Sequence, residues 1–228
     1  MNGLFDALER TAGAVTLAPG AALLRGFALD DAAALLAAID TVAALAPLRH
    51  MVTPGGYTMS VATTSCGDMG WTSDAQGYRY AACDPHSGLP WPAMPALFGT
   101  LARNAAARAG FPGFEPDACL INRYAPGARL TLHQDRNERD FGAPIVSVSL
   151  GLPATFLFGG TRRTDPTLKL RLAHGDVVVW GGPARLRFHG VLPLAHGTHP
   201  LTGAHRVNLT FRKASSARAD RRFHAAPR

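Results

Sequence analysis

From Asp117 onward, Gly and Pro cut the chain into short runs that read as strands, at 118–124, 130–135, 145–150, 154–158, 168–172, 176–180, 185–191 and 205–212. The separators are too short to hold the crossover helix a parallel pair needs, so the pattern predicts an antiparallel sandwich or barrel rather than βαβ units. A double-sheet jelly roll, mainly β with flanking helices, is the architecture expected. With 24 Gly, 17 Pro and 17% charged residues in 228, the composition is that of a turn-rich globular protein and excludes collagen, coiled coils and long bundles. No internal repeat interrupts the reading of one domain over 1–213.

Ahead of the strands, Leu35, Leu36, Ile39 and Val42 recur at helical spacing after Asp30, which predicts a capped amphipathic helix over 31–45. A second helix is expected from Pro95 to Gly110, with Leu97, Phe98, Leu101 and Ala105 on one face. Between them, residues 51–92 interleave glycines with Tyr57, Trp71, Tyr78, Tyr80 and Trp91, a mixture that suits a binding surface or lid.

No apolar run reaches the roughly 18 residues of a membrane span, and Asp6, Glu9 and Arg10 interrupt the N-terminus where a signal peptide would stay apolar. A cytoplasmic monomer with no membrane partner is the expectation. Cys66, Cys83 and Cys119 are too widely spaced for a C-x-x-C metal or redox pair. Much of the net charge of +7 lies near the C-terminus, where Lys213, Arg218, Arg221, Arg222 and Arg228 face only Asp220. Residues 214–228 therefore read as a basic tail, disordered by composition, on a mildly basic body.

In Thr131-Leu132-His133-Gln134-Asp135, strand geometry points the imidazole and the carboxylate to one face. With a later histidine, His-x-Asp is the two-histidine, one-carboxylate set that holds Fe(II) and leaves positions open for oxygen and a co-substrate. By itself the pair is more often a surface feature, and the chain carries a second copy at His174-Gly175-Asp176, which reads better as a turn entering a strand. Of the downstream histidines, His189 sits in the more convincing strand pattern, alternating with Leu186 and Phe188.

The run Arg206-Val207-Asn208-Leu209-Thr210-Phe211-Arg212 alternates polar and apolar residues throughout. Its polar face is either solvent-exposed or, inside a barrel, a pair of guanidiniums that require anionic partners. The two Cα atoms lie about 20 Å apart along a strand, and side chains reaching about 7 Å each leave roughly 6 Å between them, a gap that suits a five-carbon diacid. Asn122 and Tyr124 share a face of an earlier strand and offer further hydrogen bonds.

Over roughly residues 4–213 the chain resembles the bacterial AlkB-type Fe(II)/2-oxoglutarate-dependent dioxygenases that repair alkylated nucleic acids. The likeness rests on Met51 to Ser60, Asn122 to Gly127, His174 to Gly182 and the Arg-x-Asn-x-Thr-x-Arg strand. It implies Fe(II) on His133, Asp135 and His189, and 2-oxoglutarate on Asn122, Tyr124, Arg206, Asn208 and Arg212, with molecular oxygen as the second co-substrate. It also implies a jelly-roll core over 118–212 and an N-terminal nucleotide-recognition lid over 51–92. Thr53, Tyr57, Trp71 and Tyr78 of that lid would touch the damaged nucleotide, with Arg163 on its phosphate side. The implied reaction is oxidative demethylation of N1-methyladenine- and N3-methylcytosine-type lesions in single- or double-stranded DNA, with RNA as a further candidate.

The chain departs from the family at two positions expected near the base. Asn137 stands where the bacterial members carry a second acidic residue after the metal aspartate, and Thr63 where they carry methionine. Rival readings keep the cofactors but change the substrate to a protein side chain or small molecule, or reduce the chain to a nucleic-acid-binding module using Arg162, Arg163, Lys169, Arg171 and the tail.

Overall fold

A computed structural model describes residues 13–215. Helix α1 (Ala32–Leu45) buries Leu35, Ile39 and Val42 one turn apart, and α2 (Ala96–Arg108) buries Phe98, Leu101, Ala102 and Ala105. Both fall close to expectation, but Asp31 makes no side-chain cap. Burial of an apolar stripe, rather than a cap, therefore holds α1 in place.

The first strands are β1 (Ala14–Ala18), β2 (Ala21–Leu24), β3 (Arg49–Val52) and β4 (Thr58–Gly67), followed by a separate hairpin of β5 (Gly70–Asp74) and β6 (Gly77–Ala81). The C-terminal half contributes β7 (Ala118–Tyr124), β8 (Leu130–His133), β9 (Ile145–Gly151), β10 (Ala154–Phe158) and β11 (Leu168–Leu172). It ends with β12 (Val177–Trp180), β13 (His189–Val191) and β14 (Arg206–Arg212). The larger sheet runs β1-β2-β12-β9-β14-β7-β4-β3 and the smaller β11-β10-β13-β8, with antiparallel pairing throughout. This is the double-sheet jelly roll expected from the strand spacing.

Strand alternation sorts the larger sheet into two faces. Val207, Leu209 and Phe211 of β14 join Val146, Val148, Val177 and Val179 beneath the two helices. Arg206, Asn208, Thr210 and Arg212 therefore face the space between the sheets, where Tyr124, Ile145, Phe156, Val178, Trp180 and Val191 form a second core. All seven residues of β14 are buried, so its polar face lines an interior rather than solvent.

Several boundaries differ from the sequence reading. The run 130–135 leaves the sheet at His133, and of 185–191 only His189–Val191 pairs. The 181–183 Gly-Gly-Pro triplet opens a 3-10 turn, whose successive bonds from Ala184, Arg185 and Arg187 consume the backbone donors ahead of His189. The β1–β2 pair went unforeseen because its alanines carry little β signal. Part of the expected lid belongs instead to the larger sheet: β4 pairs with β7 over Ala62 to Gly67, and Val61 to Cys66 are buried. The chain also stays anchored past Lys213, since Ala214 N donates to Asp117 Oδ1 at 2.6 Å and Ser215 N to Oδ2 at 3.0 Å. The rest of the expected tail, 216–228, and the first twelve residues lie outside the described residues. Among those described, no helix is long and apolar enough to cross a membrane.

Candidate active site

His133 and His189 are direct cross-strand partners on β8 and β13. Their ring centroids are 4.4 Å apart. Gly190 permits the approach, because a Cβ there would lie 2.8 Å from the Leu130 carbonyl oxygen. Beyond β8 the chain turns so that Asp135 Oδ1 lies 3.7 Å from Nε2 of each histidine. The three ligand atoms fall within 4.8 Å of one another, the one such histidine–carboxylate grouping among the described residues.

The remaining ring nitrogens fix the tautomers. His133 Nδ1 donates to the Thr131 carbonyl at 2.8 Å and His189 Nδ1 to that of Arg187 at 3.1 Å, which leaves both Nε2 lone pairs turned to the cluster. Burial, then the neighbouring His133, lowers the His189 imidazole to about 4, so it is neutral and ligand-ready at physiological pH. Burial alone would raise the Asp135 carboxyl, but Arg212, His189 and His133 hold it well below the usual carboxylate range. Its two oxygens are thus divided between the histidine cluster and Arg212, whose Nε lies 2.8 Å and Nη2 2.7 Å from Oδ2.

A depressed histidine pKa has a stability consequence. Between pH 6.5 and about 4 the unfolded chain binds a proton at residue 189 and the folded one does not, so stability falls as pH drops through that window. Metal-free protein is expected to lose about 2 kcal/mol from this residue between pH 7 and pH 5. Urea midpoints compared with those of His189→Gln check this; equal pH slopes in the two proteins would overturn it.

Beside the cluster, Arg206 and Arg212 enter the inter-sheet space from the ends of β14, flanking Asn208, with Asn122 and Tyr124 opposite on β7. Arg206 is 1% exposed and forms no ion pair among the described residues. Its Nη2 donates to Ser149 Oγ at 2.9 Å and its Cζ stands 4.9 Å from the Tyr124 ring centroid, while Nε and Nη1 have no partner. Arg212 Nη1 is likewise unpartnered. A buried guanidinium with open donors and no counter-ion calls for an anion.

A family model described as the 2OG-Fe(II) oxygenase superfamily matches residues 20–212. The chain belongs to that superfamily. Two relatives, each an alpha-ketoglutarate-dependent dioxygenase AlkB, come from Escherichia coli K12 and Salmonella typhimurium. They are 61% and 60% identical over 198 and 199 residues, and each comparison covers 87% of this chain and 92% of the relative. The solved structure of OsALKBH1, 30% identical, superposes with a TM-score of 0.74 over 88% of this chain and 99% of that one. This AlkB-type dioxygenase requires Fe(II), 2-oxoglutarate and dioxygen. Its interior suits them: two imidazole Nε2 atoms and a carboxylate oxygen form a donor set for Fe(II), and the open guanidinium donors suit a dicarboxylate.

Of the residues expected at the nucleotide, Trp71, Tyr78 and Asn137 meet on the hairpin, Thr53 and Tyr57 meet in the β3–β4 turn, and Arg163 lies beside β8. Trp71 and Tyr78 stack across β5–β6 with centroids 5.7 Å apart and planes at 15°. Asn137 Nδ2 donates to the Tyr78 carbonyl at 3.2 Å, and its Oδ1 lies 3.5 Å from Trp71 Nε1. Thr53 and Tyr57 close the β3–β4 turn on each other, Tyr57 N donating to Thr53 Oγ1 at 3.1 Å and leaving the Tyr57 side chain exposed. Arg163 Nη1 donates to the Leu132 carbonyl at 2.8 Å, one residue from His133. Thr63 lies in β4, fully buried and paired with Asn122 of β7, so this part of the expected lid is built into the larger sheet.

The second His-x-Asp motif serves the backbone. Asp176 accepts from Gly26 N and Ala173 N at 2.9 Å and pairs with Arg25, while His174 Nδ1 accepts from Gly151 N. Sequence reasoning missed Glu138, which joins Tyr80, Arg185 and Arg212, and Gln134, whose amide donates to the Leu186 carbonyl. Nothing in their spacing marks them, because the contacts join residues 47 to 74 positions apart.

Proposed function

We propose that this dioxygenase oxidatively demethylates N-alkylated bases of the N1-methyladenine and N3-methylcytosine class in DNA, single- or double-stranded, and in RNA. The supporting observation is the Trp71–Tyr78 pair tied by Asn137 to the loop that follows Asp135. A base undergoing chemistry must leave its stack, and an aromatic ring of this hairpin together with the His133 imidazole would offer it two faces. The reading extends to a monomer acting in the cytoplasm.

His133, Asp135 and His189 hold Fe(II), and Arg206 and Arg212 receive the two carboxylates of 2-oxoglutarate, with Asn122, Tyr124 and Asn208 beside it. Bound Fe(II) would activate the dioxygen that oxidises 2-oxoglutarate to succinate and carbon dioxide and hydroxylates the methyl carbon, which then leaves as formaldehyde. The protein supplies placement. Trp71 and Tyr78 orient the base, Thr53 and Tyr57 contact the nucleotide, and Arg163 meets a phosphate. Succinate and formaldehyde assays with methylated and unmethylated oligonucleotides test the reading, and succinate formation indifferent to the methyl group would overturn it.

Asn137 sets a charge prediction. Asn137→Asp removes the donor to the Tyr78 carbonyl, a cost of about 0.5–1.5 kcal/mol shared by every lesion. The new carboxylate favours a cationic base. At an effective dielectric near 20, a charge about 6 Å away is worth on the order of 3 kcal/mol before desolvation. A net gain of about 1 kcal/mol, or roughly fivefold, is expected. The ratio of kcat/KM for N1-methyladenine and N3-methylcytosine to that for neutral N1-methylguanine and N3-methylthymine should rise about fivefold. An unchanged ratio across the four lesions would show that residue 137 does not sense the base's charge.

A further inference from the structure

Glu138 is 5% exposed, yet neither the metal set nor the co-substrate cradle uses it. Its Oε1 accepts from Tyr80 Oη at 2.8 Å and lies 3.3 Å from Arg212 Nε, while Oε2 accepts from Arg185 Nη2 at 3.1 Å. Arg185 also donates to the backbone carbonyls of Asp135 and Ala143, at 3.0 and 3.1 Å. Arg212 in turn grips Asp135 Oδ2. One buried carboxylate therefore touches the guanidinium that steadies the metal aspartate, and also a hydroxyl of β6.

The chemistry of this cluster is balanced. Two guanidiniums face two carboxylates, so the group is neutral before Fe(II) and the 2-oxoglutarate dianion arrive, and neutral again with both. Glu138 is thus not required to offset the charge of either. What it does is fix orientation: with Nε and Nη2 of Arg212 engaged by the two carboxylates, Nη1 is the donor left open. Tyr80 brings the hairpin into the arrangement, two residues beyond Tyr78 and on the strand that Asn137 already holds.

We propose that Glu138 is a positioning residue that carries the seating of the β5–β6 hairpin to Arg212, so that 2-oxoglutarate is held productively only when Tyr80 is docked on Glu138. The inference rests on the reading of Arg212 as a co-substrate ligand. It links the element that would receive the base to the group that would receive the co-substrate's carboxylate, and predicts that the two binding events support each other.

Tyr80→Phe removes one hydroxyl and no charge. Calorimetric titration of 2-oxoglutarate into Mn(II)-loaded protein should show the Kd rising three- to tenfold in this variant, with Mn(II) affinity unchanged. Hydrogen exchange should show 2-oxoglutarate protecting the amides of residues 70–81 in the wild type and failing to do so in Tyr80→Phe. In turnover, the ratio of succinate to formaldehyde should rise at least threefold. Glu138→Gln separates positioning from charge: loss of a negative charge alone would tighten binding of the dianion, whereas loss of orientation weakens it. Wild-type 2-oxoglutarate affinity, exchange protection and coupling in Tyr80→Phe would overturn the inference, as would tighter binding in Glu138→Gln. Absence of 2-oxoglutarate binding by the wild type would instead overturn the reading of Arg212.

Discussion

Asp135→Ala is expected to abolish Fe(II) binding and turnover together, and to destabilise the metal-free protein by about 3–5 kcal/mol. Two roles meet in this carboxylate. Oδ1 completes the histidine cluster and Oδ2 pairs with Arg212, so the substitution removes a ligand and leaves the buried guanidinium with Glu138 alone, which Arg185 already shares. His133→Ala and His189→Ala should also abolish turnover, but at smaller cost in stability, because neither ring is the partner of a buried guanidinium. His174→Ala is the control: it forfeits the acceptor for Gly151 N, about 1 kcal/mol, and leaves Fe(II) binding intact. Fe(II) titrations and thermal unfolding of the four variants decide the matter. Iron lost with His174→Ala and retained with His133→Ala would overturn the assignment.

The contrast between the two His-x-Asp copies shows how far the sequence was legible. Strand alternation reveals which side chains share a face, and so brought His133 and Asp135 into view and exposed the two arginines of β14. It does not reveal which face is inside. That depended on the smaller sheet closing over β14, a long-range event with no local signal. The same limit explains β4, whose Thr-Thr-Ser run reads as polar lid because its hydroxyls face an interior that exists only once β7 and β14 are in place. Thr63 and Ser65 keep buried hydroxyls without partners there. His189 was found on a strand pattern that begins only at that residue; the turn before it is dictated by the 181–183 Gly-Gly-Pro triplet and by Gln134 reaching the Leu186 carbonyl.

The two arginines, equivalent in the sequence, are not equivalent in the structure, and this yields the second large expected effect. Arg212 has two carboxylate partners, so truncating it disturbs Asp135 and Glu138 before any co-substrate is considered. Arg206 has none among the described residues and offsets its burial with one hydroxyl and one aromatic face. Burial accordingly pushes its guanidinium down, against a lesser upward pull from Tyr124. Replacing it with an apolar side chain of similar length removes an unpaired buried charge, so Arg206→Met should leave the co-substrate-free protein as stable as wild type or more stable by about 1–4 kcal/mol. Bound 2-oxoglutarate, however, would lose a charge-assisted partner in a buried site, worth about 2–5 kcal/mol, which is roughly 30- to 4,000-fold in Kd. Stability and affinity should therefore move in opposite directions in Arg206→Met and fall together in Arg212→Met. Calorimetric 2-oxoglutarate titrations and urea unfolding of both variants test this pair of outcomes. Wild-type affinity in Arg206→Met would place the second carboxylate elsewhere, and a large loss of stability would mean that the buried guanidinium already has an anionic partner in the folded chain.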